Sequence, residues 1–423
     1  MLMNMDNYMY NIVVDKRDLD YIYGIIRKYY KGWIKVSTKP DHSIYNIEIC
    51  SGFGKGYLKD QNYVVEYSGK RLSSLPVHEV LRIIERGRAR LRQTISWDQN
   101  GFYRLDDLGK KIYGHTINPG YDLFILLGDI WISILSDLGF KDPPKNTVVV
   151  KRFRGVHDIY SGDGIIARLL LKNLGKPMLK IFGDRTIDND LDKYIMFNSK
   201  YIERHAEIVN HFLSGLGSPD LVITSFSGGK DSIVLLDLAI RFYGKNRVLP
   251  IYVDTGVEFP YTLDYVSRVE RYYGIEIVKA YAGIDKAIDL RGLPTREDRW
   301  CTGLKQKAFY DKLVEIIRGC DRVFVLLGDR DAESRSRSHR SPVRYRGNYL
   351  EVSPLKQWST IHVQTYILSR KLPLNPLYMY GFYRTGCYIC PLLRDLEKYI
   401  MKKYLWNVLR ELKHIDEFLS NTV

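Results

Sequence analysis

Leu221-Val222-Ile223-Thr224-Ser225-Phe226-Ser227-Gly228-Gly229-Lys230-Asp231-Ser232-Ile233-Val234-Leu235-Leu236 is the stretch that decides the fold. Its apolar start reads as a strand, its centre as a tight loop and its apolar end as the opening of a helix. Gly228 and Gly229 let the backbone come close to a ligand and adopt positive φ where needed. N–H groups at the helix start, helped by the helix dipole, favour an anion there. Lys230 adds a mobile positive charge, and Ser225, Ser227 and Ser232 surround the glycines with hydroxyls. Such a loop suits a phosphate chain. It is not the Walker loop, which has four residues between its first glycine and the Gly-Lys pair. The plain alternative is a serine-capped glycine turn with Lys230 in solvent.

Outward from the loop, apolar strand candidates recur at Leu221–Thr224, Val248–Val253, Glu276–Ala280 and Val323–Leu327. Helical stretches separate them at Ser232–Tyr243, Tyr261–Tyr273 and Lys305–Arg318, and Tyr201–Leu216 precedes them. This alternation predicts an α/β fold, a parallel sheet with helices on both faces. Ligands of such sheets sit beyond the carboxyl ends of the strands. Asp254 and Glu258 follow the second strand and are candidate ligands of a metal ion or nucleotide; capping a turn is the other role open to Asp254. Arg330 and Arg335 follow the last strand, where arginines suit two-pronged recognition of phosphate or sulfate. The later Arg-Ser alternation also reads as a surface loop.

Three of the five cysteines form a set. Cys387 and Cys390 make a CxxC, and Cys301 precedes a helix. Their thiolates suit zinc or an iron–sulfur cluster with one position left open. A redox dithiol and a pair of buried structural thiols are the other readings. Cys50 and Cys320 stand alone.

The chain has 423 residues, 45% hydrophobic and 27% charged, and a formal net charge of +15. Length predicts two or three domains, and the charge predicts an anionic partner, nucleotide or nucleic acid. No apolar run is long enough for a membrane span, and Met1–Asp6 does not read as a signal peptide, which predicts the cytoplasm. Asp142-Pro143-Pro144-Lys145-Asn146 predicts a boundary. The expected division is a smaller α+β N-terminal domain over 1–143, a connecting region over 144–193 and a nucleotide-binding domain over 194–423. Tyr63–Tyr67 reads as a strand, His78–Glu85 as a helix, and Asp158–Gly164 as a cap into a helix over Ile165–Leu171. Arg86–Arg92 reads as a solvated face or as a grip on a phosphate backbone.

From about Tyr194 onward the chain resembles the phosphoadenosine phosphosulfate reductase family, within the PP-loop adenine-nucleotide α-hydrolases. The resemblance rests on Ser227–Ser232, Asp254–Pro260, Gly328–Ser334, Ser353-Pro354-Leu355 with Trp358, Asn375–Tyr378 and Gly386–Cys390, in that order. It implies a Rossmann-like sheet of the PP-loop type. It also implies an adenine nucleotide at Ser225–Ser232, with contacts from Asp254, Arg330, Glu333 and Arg335. Two features depart from the reductases. The tail Ile415–Val423 carries no cysteine, and Trp300-Cys301 stands where cluster-bearing reductases have adjacent cysteines. A loop with Lys230 and Asp231 is more similar to members that split ATP to AMP and pyrophosphate.

The resemblance therefore implies an enzyme of sulfur metabolism that activates an acceptor with ATP and Mg²⁺. Lys230, Asp231 and Arg330 would be catalytic. Cys301, Cys387 and Cys390 would hold a 4Fe–4S cluster, or zinc. A sulfur donor and a tRNA or DNA acceptor would be its partners. The alternatives are a reductase releasing sulfite from a sulfated adenine nucleotide, and a nucleic-acid-binding protein with a regulatory nucleotide site.

Overall fold

β-branched and aromatic residues open the chain and form a first sheet. β1 (Tyr10–Val13), α1 (Leu19–Tyr29), β2 (Ile34–Ser37), β3 (Tyr45–Cys50), β4 (Tyr63–Tyr67) and α2 (Val77–Gln93) follow in order. The strands pair in the order β2-β1-β3-β4, all parallel. The computed structural model describes residues 8–31, 33–52, 61–171, 176–184 and 186–420. Met1–Asp6 and Asn421–Val423, on which the leader and tail readings partly rest, lie outside the described residues.

Next come β5 (Ser96–Asp98), β6 (Phe102–Arg104) and β7 (Lys110–Lys111), a small antiparallel sheet. β8 (Asp122–Ile125), α3 (Ile130–Asp137), β9 (Val148–Lys151), β10 (Val156–Ser161), β11 (Gly164–Leu170) and β12 (Met178–Ile181) follow. These five strands form an antiparallel meander in the order β12-β11-β10-β9-β8. Two sequence expectations change here. The helix expected over Ile165–Leu171 is β11, because Gly162, at φ +58°, turns the chain in a hairpin that pairs Ser161 with Gly164. The prolines at 143 and 144 punctuate the link from α3 to β9, and the sheet runs across the expected boundary.

The remaining strands and α-helices are α4 (Leu191–Gly215), β13 (Leu221–Phe226), α5 (Lys230–Tyr243), β14 (Val248–Asp254), α6 (Pro260–Tyr273), β15 (Val278–Tyr281), α7 (Ile284–Arg291), α8 (Trp300–Ile316), β16 (Val323–Leu326), α9 (Arg335–Ser338), β17 (Val343–Arg346), β18 (Tyr349–Val352), α10 (Thr360–Arg370), α11 (Asp395–Tyr404), α12 (Trp406–Leu409) and α13 (Ile415–Ser420). Local chemistry sets several ends. Pro260 opens α6, where its missing N–H costs nothing, and Gly274 closes that helix in the left-handed conformation. The sheet order is β15-β14-β13-β16-β18-β17, parallel except for β17. From β13 the chain runs outward through β14 and β15, then returns to β16 on the other side of β13. That reversal opens a crevice beyond the ends of β13 and β16.

The two halves share their cores. Tyr10, Ile12 and Ile47 of the first sheet pack in one cluster with Ile202, Ile233, Leu235 and Trp358. Phe124, Val149 and Leu169 of the meander pack with Cys387, Ile389, Leu396 and Ile400. Among the described residues no helix is long and apolar enough to cross a membrane.

Candidate nucleotide site and cysteine loop

The glycine loop leaves β13 at the crevice. Gly228 sits at φ +69°, and a Cβ there would stand 3.0 Å from Thr262 Cγ2. Gly229 is the N-cap of α5. Its N–H donates to Ser232 Oγ at 3.1 Å, and that hydroxyl donates back to the Gly229 carbonyl at 2.9 Å. The Lys230 N–H donates to the Tyr378 hydroxyl at 2.9 Å. Asn375 Nδ2 donates to the Gly228 carbonyl at 3.0 Å. Thus the Asn375–Tyr378 segment lies over the loop. A phosphate oxygen entering here would replace the Tyr378 hydroxyl. Ser225 lies in β13 opposite Ile251, and Ser227 is exposed at the loop.

Lys230 is not a solvated lysine. It is 4% exposed, with Nζ 3.1 Å from Asp231 Oδ2 and 3.3 Å from the Tyr383 carbonyl oxygen. The Tyr378 and Tyr383 rings lie 5.5 and 5.2 Å away. Burial disfavours the ammonium, yet Asp231 outweighs it and holds the pKa above its ordinary value.

Arg330, after β16, is 1% exposed. Its Nε lies 2.6 Å from Asp231 Oδ1, and its other nitrogens reach Asp122 Oδ2 at 3.3 Å and donate to Thr360 Oγ1 at 3.0 Å. Burial opposes ionisation of Asp231, but the Arg330 and Lys230 charges hold its carboxyl below the usual range. Asp122 also accepts from the Thr360 N–H at 2.9 Å and from the Tyr383 hydroxyl at 2.8 Å. Lys151 Nζ lies 4.5 Å from the Tyr383 ring centroid. Burial pushes the Lys151 pKa down to about 8; Asp122 opposes this, while Arg394, Arg330 and Lys230 add to it.

These contacts revise several expectations. Arg330 is committed to two carboxylates and sets the position of Asp231, because paired charges at the strand ends satisfy one another inside the protein. Asp231, taken by two cations, is not a free magnesium ligand. Glu333 accepts from the Arg330 N–H at 3.0 Å and pairs with Arg337. Arg335 is exposed on α9. Asp254 is half-buried and accepts from the Gly256 N–H at 2.9 Å, a turn-capping geometry. The Arg86–Arg92 run is neither a solvated face nor a phosphate grip. Arg88 and Arg92 are buried, Arg88 pairs with Asp331 and Glu85, and Arg86 and Arg90 pair with Glu66.

The cysteine loop docks beside the strand ends. The Tyr388 N–H donates to the Val257 carbonyl at 3.1 Å, and Glu258 bridges to Cys387. Lys305 Nζ donates to Cys387 Sγ at 2.9 Å. Burial, and then the nearby Glu258 charge, push the Cys387 thiol up to about 12 despite Lys305. Burial raises Glu258 and Cys301 as well. Cys301 and Cys390 lie within each other's electrostatic reach and that of Lys305. Among the described residues, however, no group of three His, Cys, Asp or Glu side chains is arranged to hold a metal ion. With an ammonium on Cys387 in place of a ligand set, the three thiols as placed do not fit a cluster or a zinc ion.

Sequence reading missed Asp122, Lys151, Tyr383 and Lys305. The first two are single charges in apolar strands of the other half, with no motif to mark them. Tyr378 lay inside a quoted motif without a role.

Residues 221–393 match the family model described as the phosphoadenosine phosphosulfate reductase domain. An uncharacterized protein of Methanocaldococcus jannaschii is 36% identical over 202 residues, spanning 45% of this chain and 42% of that protein. The adenosine 5'-phosphosulfate reductase of Deinococcus radiodurans is 31% identical over 177 residues, 41% of this chain and 66% of that protein. The match thus covers about two fifths of the length of the Methanocaldococcus relative. Among solved structures, a phosphoadenylyl-sulfate reductase of Candida auris in its phosphate complex aligns at 19% identity and a TM-score of 0.34, over 47% of this chain and 96% of that one.

Proposed function

We propose that the chain, whose residues 221–393 match the phosphoadenosine phosphosulfate reductase domain model, is a PP-loop enzyme of sulfur metabolism that splits ATP to activate an acceptor. The supporting observation is the buried Lys230, fixed by Asp231 and the Tyr383 carbonyl directly beneath a glycine loop with positive φ. The loop residues Ser225, Ser227, Gly228, Gly229 and Ser232 receive the phosphate chain. An anionic oxygen of the acceptor attacks the α-phosphorus. The bond to the bridging oxygen breaks, and pyrophosphate departs with the electron pair. Lys230 and the helix start neutralise the charge that develops on it. Arg330 positions Asp231, and through it Lys230.

Mg²⁺ would neutralise further phosphate charge, and Asp254 is the carboxylate left to orient it. Arg335, exposed beside the strand end, is the arginine free to reach the nucleotide. A sulfur donor then displaces AMP from the activated acceptor. Cys301, Cys387 and Cys390 do not fit a metal centre as placed. Five cysteines without a disulfide among the described residues suit a reducing compartment, and we place the protein in the cytoplasm.

The test is pyrophosphate release from ATP by the full chain and by Lys230→Ala. A drop of about 10²-fold or more is expected from losing the fixed charge; equal rates would refute ATP splitting. A second reading is favoured by the similarity to the adenosine 5'-phosphosulfate reductase of Deinococcus radiodurans: reduction of a sulfated adenine nucleotide to sulfite. Sulfite release from such a nucleotide, with no pyrophosphate from ATP, would select it.

A further inference from the structure

The family-model match begins at residue 221, yet a carboxylate inside it is paired with a cation from outside. Asp331 follows Arg330 on the loop after β16 and is 2% exposed. Its carboxylate pairs with Arg88 of α2, and Lys356 Nζ lies 2.8 Å from its other oxygen. Arg88 pairs in turn with Glu85 at 2.6 Å. Glu85, Arg88, Asp331 and Lys356 thus form a line of alternating charge that runs from the N-terminal half into the strand-end loops. Burial opposes ionisation of Asp331, but Arg88, and after it Lys356, hold its carboxyl below the usual range.

Hydrogen bonds fix the same elements. Arg88 donates to the Ser338 carbonyl at 3.3 Å, and its own carbonyl accepts from Gln357 Nε2 at 3.0 Å. The Tyr10 hydroxyl of β1 donates to Gln357 Oε1 at 2.6 Å. The Tyr10 and Trp33 rings each lie 5.1 Å from the Arg88 guanidinium carbon. Lys356 Nζ donates to the Arg337 carbonyl at 2.8 Å, and the Asp331 N–H to the Lys356 carbonyl at 2.9 Å.

Two segments, 328–338 and 356–360, are therefore tied to α2, and both also hold Arg330. The Trp358 carbonyl and Thr360 Oγ1 accept from Arg330 at 3.3 and 3.0 Å. A contact that merely closed the two halves could lie anywhere along their interface. Arg88 instead grips the neighbour of Arg330 on one segment and the neighbour of Trp358 on the other. Arg330 fixes Asp231, and Asp231 fixes Lys230. We propose that Arg88 is a positioning residue for the nucleotide site: through Asp331 it sets the Arg330 loop, and so places Asp231 and Lys230 at the glycine loop. The effect on turnover rests on the ATP-splitting reading; the positioning itself does not. Lys230 acts on charge that develops as pyrophosphate departs, so displacing it should lower kcat and leave KM for ATP nearly unchanged.

The experiment compares the full chain with Arg88→Met, Arg88→Lys, Asp331→Asn, the Arg88→Met/Asp331→Asn double variant and Ile22→Val, a core change in α1 outside both segments. Hydrogen–deuterium exchange is followed by mass spectrometry at residues 227–232 and 328–338, and pyrophosphate release from ATP is measured on the same samples. Arg88→Met should speed exchange in both regions and lower kcat by up to about 10²-fold, the cost of a small misplacement of a charge at the reacting centre. Arg88→Lys, which keeps the charge and loses the fork, should lie between it and the wild type. Asp331→Asn should match Arg88→Met, and the double variant should be no slower than either, because Arg88 acts through that carboxylate. Ile22→Val should leave exchange at 227–232 and kcat at their wild-type values. If Arg88→Met does not fold, Arg88→Lys and Asp331→Asn carry the same comparison. Wild-type exchange at 227–232 in the folded Arg88 variants overturns the proposal, and Arg88 is then only a tie between the halves. So does a double variant whose kcat loss is the product of the two single losses, since the residues would act independently. If the wild type releases no pyrophosphate, the ATP-splitting reading falls, and exchange at 227–232 decides the positioning alone.

Discussion

Lys151→Met should make the unliganded protein more stable and its nucleotide binding weaker. Lys151 lies at the end of β9, largely buried, and its pKa falls from the usual 10.5 to about 8 on folding, with burial the main cause. A fall of that size corresponds to about 3 kcal/mol of penalty on the charged form. Between about pH 8 and 10.5 the unfolded chain binds more protons at this residue than the native one, so the native state gains stability as pH rises through that window. Below pH 8 the full penalty applies. Methionine keeps the length of the side chain and carries no charge. The variant should therefore be up to about 3 kcal/mol more stable at pH 7, and the difference should shrink to near zero by pH 10.5. Urea midpoints of both proteins at pH 7, 8, 9 and 10 measure this. Parallel pH dependences would refute the burial of a penalised cation beside the loop. Weaker ATP binding by the stabilised variant would identify the penalty as one retained for function.

Arg330→Met leaves Asp122 and Asp231 buried without their shared cation. It should cost roughly 3–5 kcal/mol at pH 7 by denaturant midpoint, and adding Asp122→Asn should recover part of that loss. Tyr378→Phe removes the acceptor of the Lys230 N–H. The unliganded protein should lose about 1–2 kcal/mol, and saturating ATP should erase the difference, because a phosphate oxygen takes over the N–H. A deficit unchanged by ATP would mean that the phosphate does not enter there.

The parallel sheet was readable because each strand is a short apolar run whose fate is decided locally. Leu221, Val222, Ile223 and Thr224 leave no helical periodicity to follow, and Gly228-Gly229 marks the turn. Ile165–Leu171 misled because a short apolar run fits either period, and the deciding feature is the hairpin at Gly162 rather than anything within the run. Arg86–Arg92 was illegible for a different reason. Its meaning depends on Asp331, 243 residues from Arg88, which arrives only when the halves pack together. Asp122 and Lys151 were hidden in the same way. A lone charge in an apolar strand carries no signal until its partner is beside it. The cleft lined by Arg154, Arg296, Arg384 and Arg394 is assembled from three separate segments, so its convergence could not be read along the chain.

Charge at the loop closes only when an anion is present. Arg330 and Lys230 contribute two positive charges there, and Asp122 and Asp231 two negative ones. Lys151 is the surplus cation, and burial lowers its pKa. A phosphate chain near the Tyr383 ring would supply the missing counter-charge and raise that pKa. Nucleotide binding should then draw a proton from solution. At pH 8, where Lys151 is about half protonated, uptake should approach half a proton per nucleotide, and at pH 6 it should be near zero because the amine is already charged. Calorimetry in buffers of different ionisation enthalpy counts these protons directly. Lys151→Met should abolish the uptake at pH 8. If the variant still takes up the same fraction, the proton goes elsewhere, and Lys151 does not face the phosphates.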